Sequence, residues 1–295
     1  YRLTVADYHN TYYGRLAEAV LKAQRVELGG SNLVFVQTVA QPGKDADRFP
    51  PTEGTIRTLL ALGLYEPAVR ELEFARARWG DSASITASIA WANKQMAASE
   101  SGTRQFALAR GAITLIKRAY PQFMAGGGEQ LPREILTTIF PLSYWDLIRK
   151  YSAERDLDPY LIAALMAQES TFVRDIRSHA GAYGLMQMVP STARQYARKM
   201  KLRYSTRLLT TPETNVQMGT AYFADKVRQF GRVHLALASY NAGETPVRRW
   251  LREKPDLPQD EFIDDIPYPE TQQYVKRILG TAEDYRRLYG VAGSW

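Results

Sequence analysis

The sequence predicts an all-α protein. Apolar residues recur three and four apart through most segments. No stretch alternates polar and apolar side chains as a half-buried strand would. Several apolar runs open on a capping residue plus proline, as at Asp158-Pro159 and Thr211-Pro212, and stop at glycine, which is helix punctuation.

Taken in order, residues 4–28 read as one amphipathic helix, and 29–54 interrupt it with glycine and proline at both ends. Helices are then expected over about 54–62, 65–79, 82–98 and 103–119. "GLYEPAVRELEFARARWG" (63–80) has the small-residue and leucine spacing of paired-helix repeats, although the register does not recur cleanly. "YPQFMAGGGEQLPREI" (120–135) joins three glycines with two prolines and is the best boundary. Beyond it the periodicity predicts helices over 158–170, 191–200, 211–231, 233–243 and 269–290, with polar motifs at several of their ends.

Composition narrows the chemistry. The 295 residues include no cysteine, so disulfides, thiol catalysis and cysteine metal sites are excluded. Three scattered histidines lack the spacing of a helical zinc pair, and no calcium-loop pattern occurs, so no metal or other cofactor is expected. No apolar run reaches the length of a membrane span. A net charge of +7 suits an anionic partner: nucleic acid, acidic lipid or an acidic wall polymer. The basic stretch 194–207 carries only Tyr196 and Tyr204 as stacking aromatics, so nucleic acid is not expected and a solvated helix face is. The N-terminus has neither Met nor a leader, and reads as a trimmed product.

Four pieces could carry chemistry. "LIAALMAQES" (161–170) puts Glu169 on the stripe of Ile162, Leu165 and Met166. A carboxyl there loses hydration when charged, so its pKa should climb from about 4.3 towards roughly 6, making it a proton donor. The alternative is a helix-end Glu paired with Arg174 or Arg177. "SHAGAYGLMQMVPSTA" (178–193) contains a glycine-bracketed loop with Gln187 between two methionines, suited either to holding polar groups of a ligand or to a plain turn. "ASYNAGE" (238–244) places Tyr240 and Asn241 at a helix end, for binding or merely for capping. In "IPYPETQQYV" (266–275) Glu270 stands in a first helical turn, where a carboxylate is favoured in any case.

Glu-Ser, Gly-Leu-Met-Gln, Tyr-Asn-Ala-Gly and Pro-x-x-Glu-Thr-x-x-Tyr-Val, in this order, resemble the soluble lytic transglycosylases of bacterial cell walls, in particular the large periplasmic type. The resemblance covers about 140–295 closely and 50–135 loosely. It implies the tail of a superhelical domain (1–48), a helical linker domain (49–135) and a lysozyme-like, goose-type catalytic domain (136–295). It implies periplasmic action on peptidoglycan glycan strands and their stem peptides, with the export signal outside this chain and a possible peripheral association with the cell envelope. By motif position Glu169 is the family's single catalytic acid/base. Ser178, Gln187, Tyr240 and Glu270, with Asn241 and Tyr274 of the same motifs, fall where substrate is bound or positioned. The implied reaction cleaves the MurNAc–GlcNAc bond with closure of a 1,6-anhydro ring, the substrate's N-acetyl group replacing a second carboxylate. In that scheme Tyr240 orients the acetamido group or Glu169, and the charge of Glu270 helps keep Glu169 protonated. Val189, where close relatives carry Met, implies a shallower methionine wall, and Tyr183 replaces a smaller residue. A hydrolysing goose-type muramidase and an inactive wall-binding scaffold are the rival readings.

Overall fold

The structure, a computed structural model, describes residues 1–25 and 50–290. Among these it contains sixteen α-helices, two 3₁₀ turns and no strand, as the periodicity predicts. The chain divides into two compact units, Tyr1–Pro141 and Leu142–Trp295.

The first unit opens with α1 (Arg2–Tyr8) and α2 (Tyr12–Ala23), where one continuous helix was expected. Thr11 is extended, and its side chain accepts a hydrogen bond from Gly14 N (3.1 Å), starting a new helix. Asn10 donates to the carbonyls of Phe123 and Ala125 (2.9 Å each), which holds the break in place. Gly14 packs so closely on the Tyr8 backbone that no Cβ fits there. Both arms keep the helical period, so periodicity cannot register the break. The rest of that expected helix, beyond residue 25, and most of the interruption at 29–54 lie outside the described residues.

Next come α3 (Glu53–Ala61), α4 (Tyr65–Trp79), α5 (Ala83–Ser99) and α6 (Gly102–Ala119), joined by links of two or three residues and packed on their sequence neighbours. Ile56, Leu72, Ile85 and Ile89 form their shared core. The glycine- and proline-rich stretch becomes two 3₁₀ turns leading to α7 (Arg133–Ile139). A cavity of about 630 Å³ lined by Leu60, Trp91, Ile116 and Ile135, among others, lies within this unit and holds none of the candidate site residues.

The second unit comprises α8 (Trp145–Ala153), α9 (Pro159–Ser170), α10 (Pro190–Lys199), α11 (Thr206–Thr210), α12 (Pro212–Phe230), α13 (Val233–Ala242), α14 (Glu244–Glu253), α15 (Gln259–Asp264) and α16 (Pro269–Tyr289). Asp158 caps α9 by accepting from Tyr160 N (2.9 Å), with Pro159 at the first position. Leu161 through Met166 are all buried, so α9 runs through the interior with apolar residues on every face. α16 packs along α9, and α13 touches both α12 and α16. The stretch 171–189 between α9 and α10 is irregular and lies at the centre of the site.

Candidate active site

Glu169 occupies the last turn of α9, one residue before the helix ends. Burial raises its carboxyl to a pKa of about 7, opposed only by a hydrogen bond from the Tyr274 hydroxyl to Oε1 (2.5 Å). No ion pair reaches Glu169 among the described residues, so the alternative of a structural pairing with Arg174 or Arg177 does not hold; Arg177 instead lies over the Tyr183 ring at 5.1 Å. Glu270 is exposed in the first turn of α16 and is not among the causes of the raised pKa, so desolvation rather than a neighbouring charge protonates Glu169. At neutral pH about half of the molecules carry the proton there.

Directly after Glu169 the chain reverses through two strained residues. Thr171 (φ 49°) and Phe172 (φ 61°) are both left-handed, a conformation that costs non-glycine residues roughly 1–3 kcal/mol each. Their burial holds them, Phe172 meeting Tyr285 edge-on. Ser170, fully buried, donates to the Leu185 carbonyl (2.8 Å) and thereby ties the tip of α9 to the Gly-Leu-Met-Gln loop.

That loop is gripped from two further sides. Tyr240, on α13, donates to the Met186 carbonyl (2.6 Å), while its ring leans on Tyr222. Asn215, fully buried on α12, accepts from Met186 N (2.8 Å) and donates to the carbonyls of Tyr183 (3.0 Å) and Leu209 (2.8 Å). Gly219, one turn further along α12, leaves the room that the Met186 side chain fills. Gln187 (φ 45°) turns its amide back onto the carbonyls of Gly184 (2.9 Å) and Ile176 (3.3 Å). Ser178 closes the preceding turn by accepting from Ala182 N (3.0 Å). Asn241 accepts from Thr271 (2.6 Å), joining the end of α13 to the start of α16.

The tyrosine that touches Glu169 is therefore Tyr274. Tyr240 lies close enough for its own ionisation to be opposed by the Glu169 charge, but spends its proton on the loop.

Residues 146–263 match the family described as the transglycosylase SLT domain. A soluble lytic murein transglycosylase of Salmonella typhimurium is 36% identical over 156 residues, covering 51% of this chain and 24% of that protein. Lytic transglycosylase Slt of Pseudomonas aeruginosa, solved as an inactive mutant, superposes over 97% of this chain and 42% of its own, with TM-score 0.63 and 27% identity. The 70 kDa soluble lytic transglycosylase of Escherichia coli covers 94% of this chain and 44% of its own, with TM-score 0.55 and 28% identity. Residues 146–263 thus carry a transglycosylase SLT domain, and the chain is similar to soluble lytic transglycosylases. It spans about a quarter of the length of these curated soluble relatives.

The motif residues divide by what they touch. Glu169 and Tyr274 meet directly, Tyr240 and Gln187 are both bonded to the loop, and Ser178 and Asn241 are bonded to Ala182 and Thr271 rather than to Glu169. Sequence reasoning overlooked Asn215. Its signal was an amide inside an otherwise apolar-faced helix, four residues before a glycine, in "NVQMG". It also gave Ser170 no role of its own.

Tyr274→Phe removes the bond that opposes burial, so the Glu169 pKa should rise above its present value. Carbon-13 carboxyl titration of the labelled side chain reads this directly; a fall, or no change, would contradict the assigned cause.

Proposed function

We propose that this chain is a peptidoglycan lytic transglycosylase acting in the periplasm on the β-1,4 bond between N-acetylmuramic acid and N-acetylglucosamine. The observation that carries the reading is Glu169: a carboxyl at a buried helix tip, held by one tyrosine, whose pKa of about 7 leaves it protonated in a large fraction of molecules at neutral pH.

Neutral Glu169 donates its proton to the bridging oxygen as the bond to the muramyl anomeric carbon breaks. The substrate's N-acetyl carbonyl attacks that carbon from the other face, doing the work of the second carboxylate found in most glycosidases. No other carboxylate contributes to the Glu169 environment, which suits that route. Glu169, now charged, takes the proton of the muramyl C6 hydroxyl, whose oxygen displaces the acetamido group and closes the 1,6-anhydro ring. The carboxyl ends protonated as it began, and no water is consumed. Ser178, Gln187, Tyr240, Asn241 and Glu270 line the approach as substrate-binding residues, and stem peptides occupy the flanks. A relative of this family has been solved with bulgecin A bound, and this chain matches it with TM-score 0.53 and 29% identity.

Mass spectrometry of products from purified sacculi tests the reading. Anhydro-muropeptides are expected; products one water heavier would assign a hydrolysing muramidase instead, and no product would assign a binding scaffold.

A further inference from the structure

Between Asp175 and Glu213 the chain holds no acidic residue at all, and this stretch includes both the Gly-Leu-Met-Gln loop and α10. Six cations fall within 194–207: Arg194, Arg198, Lys199, Lys201, Arg203 and Arg207. Only the structure shows which of them are neutralised. Lys199 pairs with Asp225 (2.9 Å), and Arg194 lies over the Tyr204 ring (5.1 Å). Arg198, Lys201, Arg203 and Arg207 are exposed and have no ion pair among the described residues. Some surface cations elsewhere in this unit find acids, as Lys150 does with Glu213 (3.0 Å) and Arg248 with Glu244 (2.6 Å), while others, such as Arg149 and Arg232, likewise have no ion pair among the described residues. What sets 198–207 apart is that four such cations fall within ten residues of an acid-free stretch.

We infer that Arg198, Lys201, Arg203 and Arg207 form an electrostatic docking face for acidic peptide, namely the carboxylate-bearing stem peptides of the strand being cleaved. The inference rests on the peptidoglycan reading above. Arg198 stands near the end of α10 and Arg207 on α11, two residues before Leu209, whose carbonyl meets Asn215 beside the central loop, and none of the four is bonded to Glu169. That placement beside the loop suits a flexible peptide branching from the glycan. A bilayer is disfavoured because Leu202 and Leu208 pack inward and leave no apolar anchor beside the cations. Nucleic acid is disfavoured because Tyr196 is buried and Tyr204 is covered by Arg194. Attraction of this kind raises encounter and retention, and is screened beyond roughly 8 Å at physiological salt.

The test is co-sedimentation of the full chain carrying Glu169→Gln, so that binding is read without cleavage, with purified sacculi across a salt series. Adding R198Q, K201Q, R203Q and R207Q together should weaken binding roughly tenfold at low salt, the sum of several modest exposed pairings, and flatten its salt dependence. Glycan stripped of peptides by an amidase should bind both chains equally. A double variant, K201Q with R203Q, should show an intermediate loss and guards against misfolding of the quadruple variant. Unchanged binding, an equal loss on stripped glycan, or a loss confined to vesicles of anionic phospholipid would each overturn the inference. Because binding is measured in a chain that cannot cleave, these outcomes are independent of whether the products are anhydro-sugars.

Discussion

Glu169→Gln should lower release of anhydro-muropeptides by about 10²–10⁴, the usual worth of a positioned proton donor. The substitution keeps the shape and the Tyr274 contact but removes the only group at the tip of α9 that can give and retake a proton. The same change should alter stability in a pH-dependent way. The folded pKa of about 7 lies above the ordinary carboxyl value of 4.5, so the folded state binds the proton more tightly. That contribution is fully present below about pH 4.5 and is lost as pH rises through 7. The separation corresponds to about 3 kcal/mol, taken to order of magnitude. Glu169→Gln should therefore gain about that much, relative to the native chain, between pH 4 and pH 8. Urea titrations at the two values measure it. An identical difference at both would mean that Glu169 is ordinarily hydrated and charged at neutral pH, and so no proton donor.

The second large effect is expected at Gly184. Its φ is +78°, and a Cβ there would lie 2.9 Å from Asn215 Cγ and closer still to the Leu209 carbonyl oxygen. Gly184→Ala therefore combines a left-handed alanine with a clash against the buried amide that holds the loop. Strain, overpacking and a disturbed buried hydrogen-bond set add to about 4 kcal/mol. Denaturant unfolding should show that loss. Activity should fall even where the chain still folds, because Met186 and Gln187 move with the loop. Asn215→Asp offers a contrast. It keeps the acceptor for Met186 N but sets a buried carboxyl oxygen against the carbonyls of Tyr183 and Leu209, so a loss of at least about 1–3 kcal/mol is expected, growing as pH rises and the carboxyl ionises.

Much of this was legible in the residues alone. Asp158 and Pro159 announce the start of α9, and its uninterrupted apolar run announces burial. A glutamate closing such a run is an anomaly that demands a reason, and its raised pKa follows from the same burial that the run predicts. Gly184 stands where only glycine fits. The helix over 4–28 went wrong because Thr11 and Gly14 end one helix and begin another without disturbing the period.

The local code of the chain, its caps, periods and glycines, determined that this protein is helical and that Glu169 would be starved of water. Tertiary structure decided who its neighbours are. Tyr274 reaches Glu169 from 105 residues away, while Tyr240 turns to Met186. Asn215, which reads as one more polar residue in a helix, becomes the clamp of the central loop. Among the described residues Arg198, Lys201, Arg203 and Arg207 have no ion pair, which their sequence neighbours alone could not show. Periodicity reports which side of an element faces inward; it carries no information about which other element arrives there, because that depends on packing every helix at once.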